Sequence, residues 1–214
     1  MFSLHDILEY IGTLFNLYNI LEYIGTFAFA ISGIRLAAIK KFDLFGAYVV
    51  GLVTAVGGGT VRDLLLGEPP FWMSQISYLL CTAFALLFFI VSRRYLAKLN
   101  NTLFIFDAIG LALFTVVGIE KTLGLGLPFW VAIIMGTITG AAGGIMRDIL
   151  INEIPLIFRK EIYALASITG GVCYFVCTIL EVNLHITQII SVVSVIAVRV
   201  IAVRFKIGLP LIKS

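Results

Sequence analysis

Four fully charged side chains, Glu22, Arg62, Asp107 and Arg147, lie inside stretches otherwise rich in leucine, isoleucine, valine and phenylalanine, and Asp63 and Asp148 directly follow the two arginines. Each Arg-Asp pair closes a glycine-marked segment: Gly57-Gly58-Gly59-Thr60-Val61-Arg62-Asp63 in one place and Ala142-Gly143-Gly144-Ile145-Met146-Arg147-Asp148 in the other. An unpaired charge in hydrocarbon costs at least about 2.5 to 3.5 kcal/mol, so such groups pair with one another and mark ion or proton pathways. The glycines supply different chemistry. Each weakens a helix by about 1 kcal/mol relative to alanine, and a helix opened at membrane depth offers bare carbonyls to a cation and bare amides to an anion. Thr54 and Thr139 add a hydroxyl one turn before each glycine group; Gly51, Thr54, Gly58 and Arg62 share one helical stripe, as do Gly136, Thr139, Gly143 and Arg147. These features lead us to expect a transient cation near Gly57 and Gly143, with no structural metal and no cofactor. The glycine run is no phosphate loop, because no Lys-Ser/Thr follows it.

The elements that position these groups follow from composition. The chain has 214 residues, of which 61% are hydrophobic and only 13% charged, with a mean hydropathy of +1.10. A domain this small cannot hide so much apolar surface from water, so lipid is the expected solvent and membrane lipid the first partner. A formal charge of +3 gives no nucleic-acid footprint. Cys81, Cys173 and Cys177 fall in apolar runs and read as small buried thiols, not as a disulfide framework or zinc site. Seven stretches have spanning length, 17–38, 44–66, 72–92, 103–119, 127–151, 162–180 and 184–203. Alternate loops collect Lys40, Lys41, Arg93, Arg94, Arg159 and Lys160, whereas the opposite side has only Arg62 and Lys121. The bias of basic residues toward the cytoplasm therefore predicts an N-terminus outside and a C-terminus inside.

The sequence also repeats. Shifted by 85 residues, Gly25 falls on Gly110, Phe29 on Phe114, Gly33 on Gly118, Thr54 on Thr139, Gly58-Gly59 on Gly143-Gly144, Arg62-Asp63 on Arg147-Asp148 and Tyr78 on Tyr163. A duplicated three-span unit must enter the bilayer upside down in its second copy, a plan common among proteins that move solutes. The predicted fold class is thus an all-α integral membrane protein with seven transmembrane helices, arranged as two inverted three-helix repeats plus a seventh helix. The expected divisions are an appended segment 1–15, repeats over 16–98 and 99–182, and the seventh span with the C-terminus over 183–214. Equal depth predicts that Glu22 meets Arg62 and that Asp107 meets Arg147. Asp63 and Asp148 are the weaker candidates, because adjacent residues on a helix do not face each other. Glycine-marked faces at Gly25 with Gly33, Gly110 with Gly118, and Gly170 with Gly171 exceed what internal packing needs and predict contacts between subunits.

With its two inverted three-span units, its seventh span and the paired glycine-Arg-Asp motifs, the chain resembles the trimeric intracellular cation channel (TRIC) family and its prokaryotic relatives over nearly its whole length. The resemblance implies a homotrimer with an hourglass pore in each protomer, lined by kinked second and fifth spans and passing potassium and other monovalent cations. It also implies an alternative, a secondary transporter for a small amino acid such as glycine. A retinal-type receptor is excluded by the repeat and by the lack of a lysine in span seven. No His pair or Ser-Lys constellation points to an enzyme, and His5 and His185 read as solvated residues near span ends.

Overall fold

A computed structural model describes residues 17–98, 101–159 and 162–208. The expected appended segment, 1–15, lies outside the described residues. Among those residues there are no strands, and seven helices dominate: α1 (Leu17–Ile39), α2 (Leu44–Leu65), α3 (Ser77–Lys98), α4 (Thr102–Gly124), α5 (Phe129–Leu150), α6 (Ala164–Ile179) and α7 (Leu184–Arg204). All but α6 are long and apolar enough to cross a membrane; α6 is apolar but shorter. Its 16 residues give roughly 24 Å of helix.

Local chemistry sets the boundaries. Asp43 caps α2 by accepting from the Gly46 amide at 2.7 Å, and Asn183 caps α7 by accepting from His185 N at 2.9 Å. Gly67 and Gly126 turn the chain out of α2 and α4 with φ of 75° and 74°, the left-handed conformation that glycine adopts without strain. Span three begins later than expected, at Ser77 and not at residue 72. Pro69-Pro70 force a separate helical turn over Phe71–Ser74, where the Trp72 indole donates to Thr60 Oγ1 at 3.0 Å.

α1, α2, α4 and α5 form the central bundle, α3 packs on α1 and α2, and α6 and α7 flank α4 and α5. The repeat partners Phe29 and Phe114 stack at its centre, 5.5 Å apart with 10° between their planes. Glycines make room for this: Phe114 lies over Gly25, and Phe29 lies over Gly110. Gly33 sits on α2, where a Cβ would stand 2.8 Å from Val50 O, and Gly118 sits on α5, where it would stand 2.8 Å from Gly136 Cα. Gly170 faces Val195 of α7 and Gly171 faces Ile133 of α5. The expectation that these glycine faces serve neighbouring subunits is therefore corrected: all six are consumed by contacts inside one chain. At these six glycines an added Cβ would meet an atom of a neighbouring helix.

One bridge ties the loop after α1 to that after α5. Lys40 Nζ lies 2.6 Å from Glu153 Oε1, with Arg159 Nη2 at 3.2 Å from the other oxygen. The hydrogen bond and charge of Lys40 hold the Glu153 carboxyl below the usual carboxylate range. Its contribution is present above the ordinary glutamate value and is lost as pH falls through the lowered one.

Valine at Gly33 or Gly118 is expected to lower the midpoint of thermal unfolding in detergent, at a cost of about 1–3 kcal/mol as for other overpacked sites. Valine at Gly124, where no atom stands within 4 Å of an added Cβ, is the control that should leave it unchanged.

Candidate functional site

The two glycine motifs meet where α2 crosses α5. A Cβ on Gly58 would strike the backbone carbonyl oxygen of Thr139, and a Cβ on Gly143 would strike that of Thr54. Gly57 lies against Met146 Sδ, where an added Cβ would stand at 2.7 Å, and Gly144 lies against Tyr163 Oη at 2.6 Å. Gly59 lies under the Phe71 ring. Helical hydrogen bonding runs without interruption through both motifs. The expected unwinding at the glycines is thus absent, because they are spent on bringing two intact helices into backbone contact. The hydroxyls of Thr54 and Thr139 turn back on their own helices, donating to Val50 O at 2.6 Å and Met135 O at 2.5 Å.

A buried charge cluster flanks the crossing on each side, and the arginines of the motifs anchor them. In the first cluster Arg62 Nε donates to Asp63 Oδ1 at 2.7 Å, and Lys121 Nζ reaches the same oxygen at 2.8 Å. Asp63 Oδ2 accepts from the Phe71 amide at 2.8 Å. Glu22 stands 3.8 Å from Arg62 Nη2 and accepts from Tyr78 Oη at 2.5 Å. Glu22 Oε1 and both terminal nitrogens of Arg62 have no hydrogen-bond partner among the described residues. In the second cluster Arg147 Nη1 donates to Asp107 Oδ1 at 2.6 Å and to Ser32 Oγ at 2.7 Å, while Nε and Nη2 each lie 2.8 Å from Asp148 Oδ1. Asp148 Oδ2 accepts from Leu156 N at 3.0 Å. From α7, Arg199 places Nη2 3.7 Å from Asp107 Oδ2 and stacks its guanidinium over Tyr163 at 4.8 Å.

The structure thus brings each arginine to the expected acid, tightly in the second cluster and loosely in the first. It corrects the expectation for Asp63 and Asp148, which are the shortest partners of Nε in both. The long arginine side chain curls back on its own helix end, and the aspartate's second oxygen holds the loop that follows. Sequence reasoning overlooked Lys121, Arg199 and Ser32, and assigned no role to Tyr78 and Tyr163 although the repeat had paired them. Each cluster balances two acids with two bases. They differ in the second base, Lys121 on Asp63 against Arg199 on Asp107, and in one hydroxyl: Ser32 in α1 completes Arg147, but its repeat counterpart is Val117, which has no hydroxyl for Arg62.

Beside the first cluster opens a cavity of about 500 Å³ whose lining includes Tyr18, Glu22, Glu68, Tyr78, Glu120 and Lys121. Among the described residues no group of three or more His, Cys, Asp or Glu is arranged to hold a metal ion.

Removing one partner of a buried pair leaves the other charge uncompensated, typically at about 3–5 kcal/mol. Double-mutant cycles on unfolding should therefore give a larger coupling for Asp107→Asn with Arg147→Gln than for Glu22→Gln with Arg62→Gln. Equal couplings would mean that the 3.8 Å gap of the first pair has no energetic meaning.

Comparison with known proteins follows the same residues. A family model described as glycine transporter matches residues 19–94 and 104–178, both motifs included. A UPF0126 membrane protein of Vibrio cholerae is 41% identical over 185 residues, covering 85% of this chain and 77% of the relative. The UPF0126 inner membrane protein YadS of Escherichia coli K12 is 39% identical over 185 residues, 85% of this chain and 89% of the relative. A solved TRIC orthologue from Rhodobacter sphaeroides superposes with a TM-score of 0.84 at 31% identity, covering 89% of this chain and 99% of its own. A second TRIC cation channel gives 0.82 at 36% identity, covering 93% and 98%. The chain is an integral membrane protein, and it belongs both to the glycine transporter family of the sequence model and to the trimeric intracellular cation channel (TRIC) family in its prokaryotic form.

Proposed function

We propose that the chain is a cation channel that passes potassium and other monovalent ions, with a pathway in each protomer alongside α2 and α5. The observation that carries this reading is the reciprocal crossing of Gly58 on Thr139 and Gly143 on Thr54, flanked on both sides by neutralised charge. A hydrated cation would gather in the cavity lined by Glu22, Glu68 and Glu120. Carboxylates around Arg62 and Arg147 offset the guanidinium charge that would otherwise repel it. At the crossing, the carbonyls of Thr54 and Thr139 are the oxygen ligands nearest Gly143 and Gly58, so a small separation of α2 and α5 would offer them to a passing ion. The closed contact is then the gate, and conduction needs helix displacement and not a permanently unwound segment.

Three further assignments belong to this reading. The two three-helix units are inverted about an axis in the membrane plane, with α7 outside that symmetry. The bias of basic loops supports an N-terminus outside and a C-terminus in the cytoplasm, and the inner membrane relative of Escherichia coli supports a prokaryotic inner membrane. The functional assembly is a homotrimer, by analogy with the trimeric channels that this chain matches at 31% identity. A second reading, a carrier for a small amino acid such as glycine, is favoured by the description of the family model and by a cavity that sets Lys121 near carboxylates.

Purified protein in a planar bilayer under a potassium gradient separates the two. A channel gives discrete current steps reversing near the potassium potential; electrical silence with saturable counterflow of labelled glycine identifies the carrier. Alanine at Gly58 or Gly143 wedges the closed crossing apart and is expected to raise open probability while lowering thermal stability. Fewer openings in both variants would show that the crossing is not the gate.

A further inference from the structure

The cavity beside the first cluster carries more negative charge than its neighbours neutralise. Glu22 and Asp63 are balanced by Arg62 and Lys121. Two further acids of the lining, Glu68 and Glu120, form no ion pair among the described residues. Glu120 accepts from Gln188 and Tyr174, both uncharged. His185, which lies 3.3 Å from that glutamine, is outside the lining.

The sequence repeat shows how the excess arises. Glu153, the counterpart of Glu68, is held by Lys40 at 2.6 Å and by Arg159 at 3.2 Å. The positions that match those two bases are Leu125 and Ser74, and Ser74 lines the cavity. The counterpart of Glu120 is Arg35. At the matching positions elsewhere in the chain the charge is met or reversed, whereas at the cavity two carboxylates stand unmatched.

Glu22 adds a separate demand. It lines the cavity at 3% exposure, and although Tyr78 donates to its Oε2, its Oε1 has no hydrogen-bond donor among the described residues. A buried carboxylate oxygen left without a donor is costly. Tyr18, Phe71 and Tyr78 bring aromatic rings to the same lining, and ring faces attract cations. Because no metal-ligating group of acids is arranged among the described residues, the cation that suits this cavity is one that supplies its own N–H donors.

We propose that the cavity is a binding site for a small organic dication of the primary diamine class, its ammonium groups shared among Glu22, Glu68 and Glu120. A cleft lined by one sign of charge concentrates such a cation. A bound diamine would also obstruct potassium flow, a consequence that alone rests on the channel reading.

Isothermal titration calorimetry of the full chain in mild detergent tests binding without any current, with 1,4-diaminobutane as the probe at about pH 8, where histidine is neutral. Saturable binding should persist against potassium chloride of matched ionic strength. Glu120→Gln should weaken it about tenfold, as expected for a hydrogen bond to a charged group. At the exposed Glu68, Glu68→Gln should weaken it about threefold. Leu125→Lys, which gives Glu68 the base that its counterpart already has, should match Glu68→Gln. The permethylated dication, with the same charge and no N–H, should bind about tenfold more weakly than the diamine. Thermal unfolding without ligand checks each variant, and should Glu120→Gln fail to fold, Glu68→Gln and Leu125→Lys decide. The proposal is overturned by absent saturable binding, by undiminished affinity in the variants, or by equal affinity for the permethylated dication. Displacement of the diamine by glycine would assign the cavity to a carrier and overturn it as well. In planar bilayers, diamine on the cavity side should reduce potassium current; binding without block would uphold the site and count instead against an ion pathway through this cavity.

Discussion

A guanidinium group withdrawn from water needs carboxylates close by to offset its charge, and this requirement shapes the molecule more than any other. Arg62 and Arg147 are fully buried. Each draws in the aspartate beside it and an acid from the first helix of its own unit, and each adds a base from elsewhere, Lys121 or Arg199. Because the aspartates also hold the amides of Phe71 and Leu156, the same charges pin the loops that follow α2 and α5. Helix ends, loop paths and the depth of α1 and α4 are therefore fixed together. Disturbing one arginine disturbs the entry to the next helix.

Between the clusters the chain depends on the absence of side chains. At Gly58 and Gly143 the two helices touch through carbonyl oxygen and glycine Cα, and at Gly57 the unbranched Met146 side chain fills the contact, so few interlocked side chains oppose a small displacement. Electrostatics hold the ends and packing sets the middle. A molecule with stiff ends and a smooth central contact is suited to gating by helix displacement.

The all-α membrane class was legible in sequence because lipid imposes a length and an apolar run on each crossing, and the sequence repeat marked residues on which the packing depends, such as Phe29, Gly58 and Arg62. The ion-pair clusters were partly legible: depth alone brought Glu22 to Arg62 and Asp107 to Arg147. Their remaining members were hidden for physical reasons. Lys121 has Leu36 as its repeat counterpart, and Arg199 lies on the helix outside the repeat, so symmetry could not flag either. Ser32 belongs to the opposite unit, and a lone serine in an apolar helix carries no periodic signal. Glycine misled in both directions, since one residue type serves an unwound helix, an oligomer contact and a close internal crossing, and only coordinates show what stands opposite each missing Cβ.

The hydrogen bond from Arg147 to Ser32 breaks the symmetry of the sequence repeat. It joins the first unit to the cluster of the second, and valine occupies the reciprocal place. Two copies of the first unit would supply serine to both arginines, and two copies of the second would supply it to neither. The halves have ceased to be interchangeable parts. Two identical subunits would not rebuild this molecule, because Arg147 has a hydroxyl partner where the matching position offers Arg62 none.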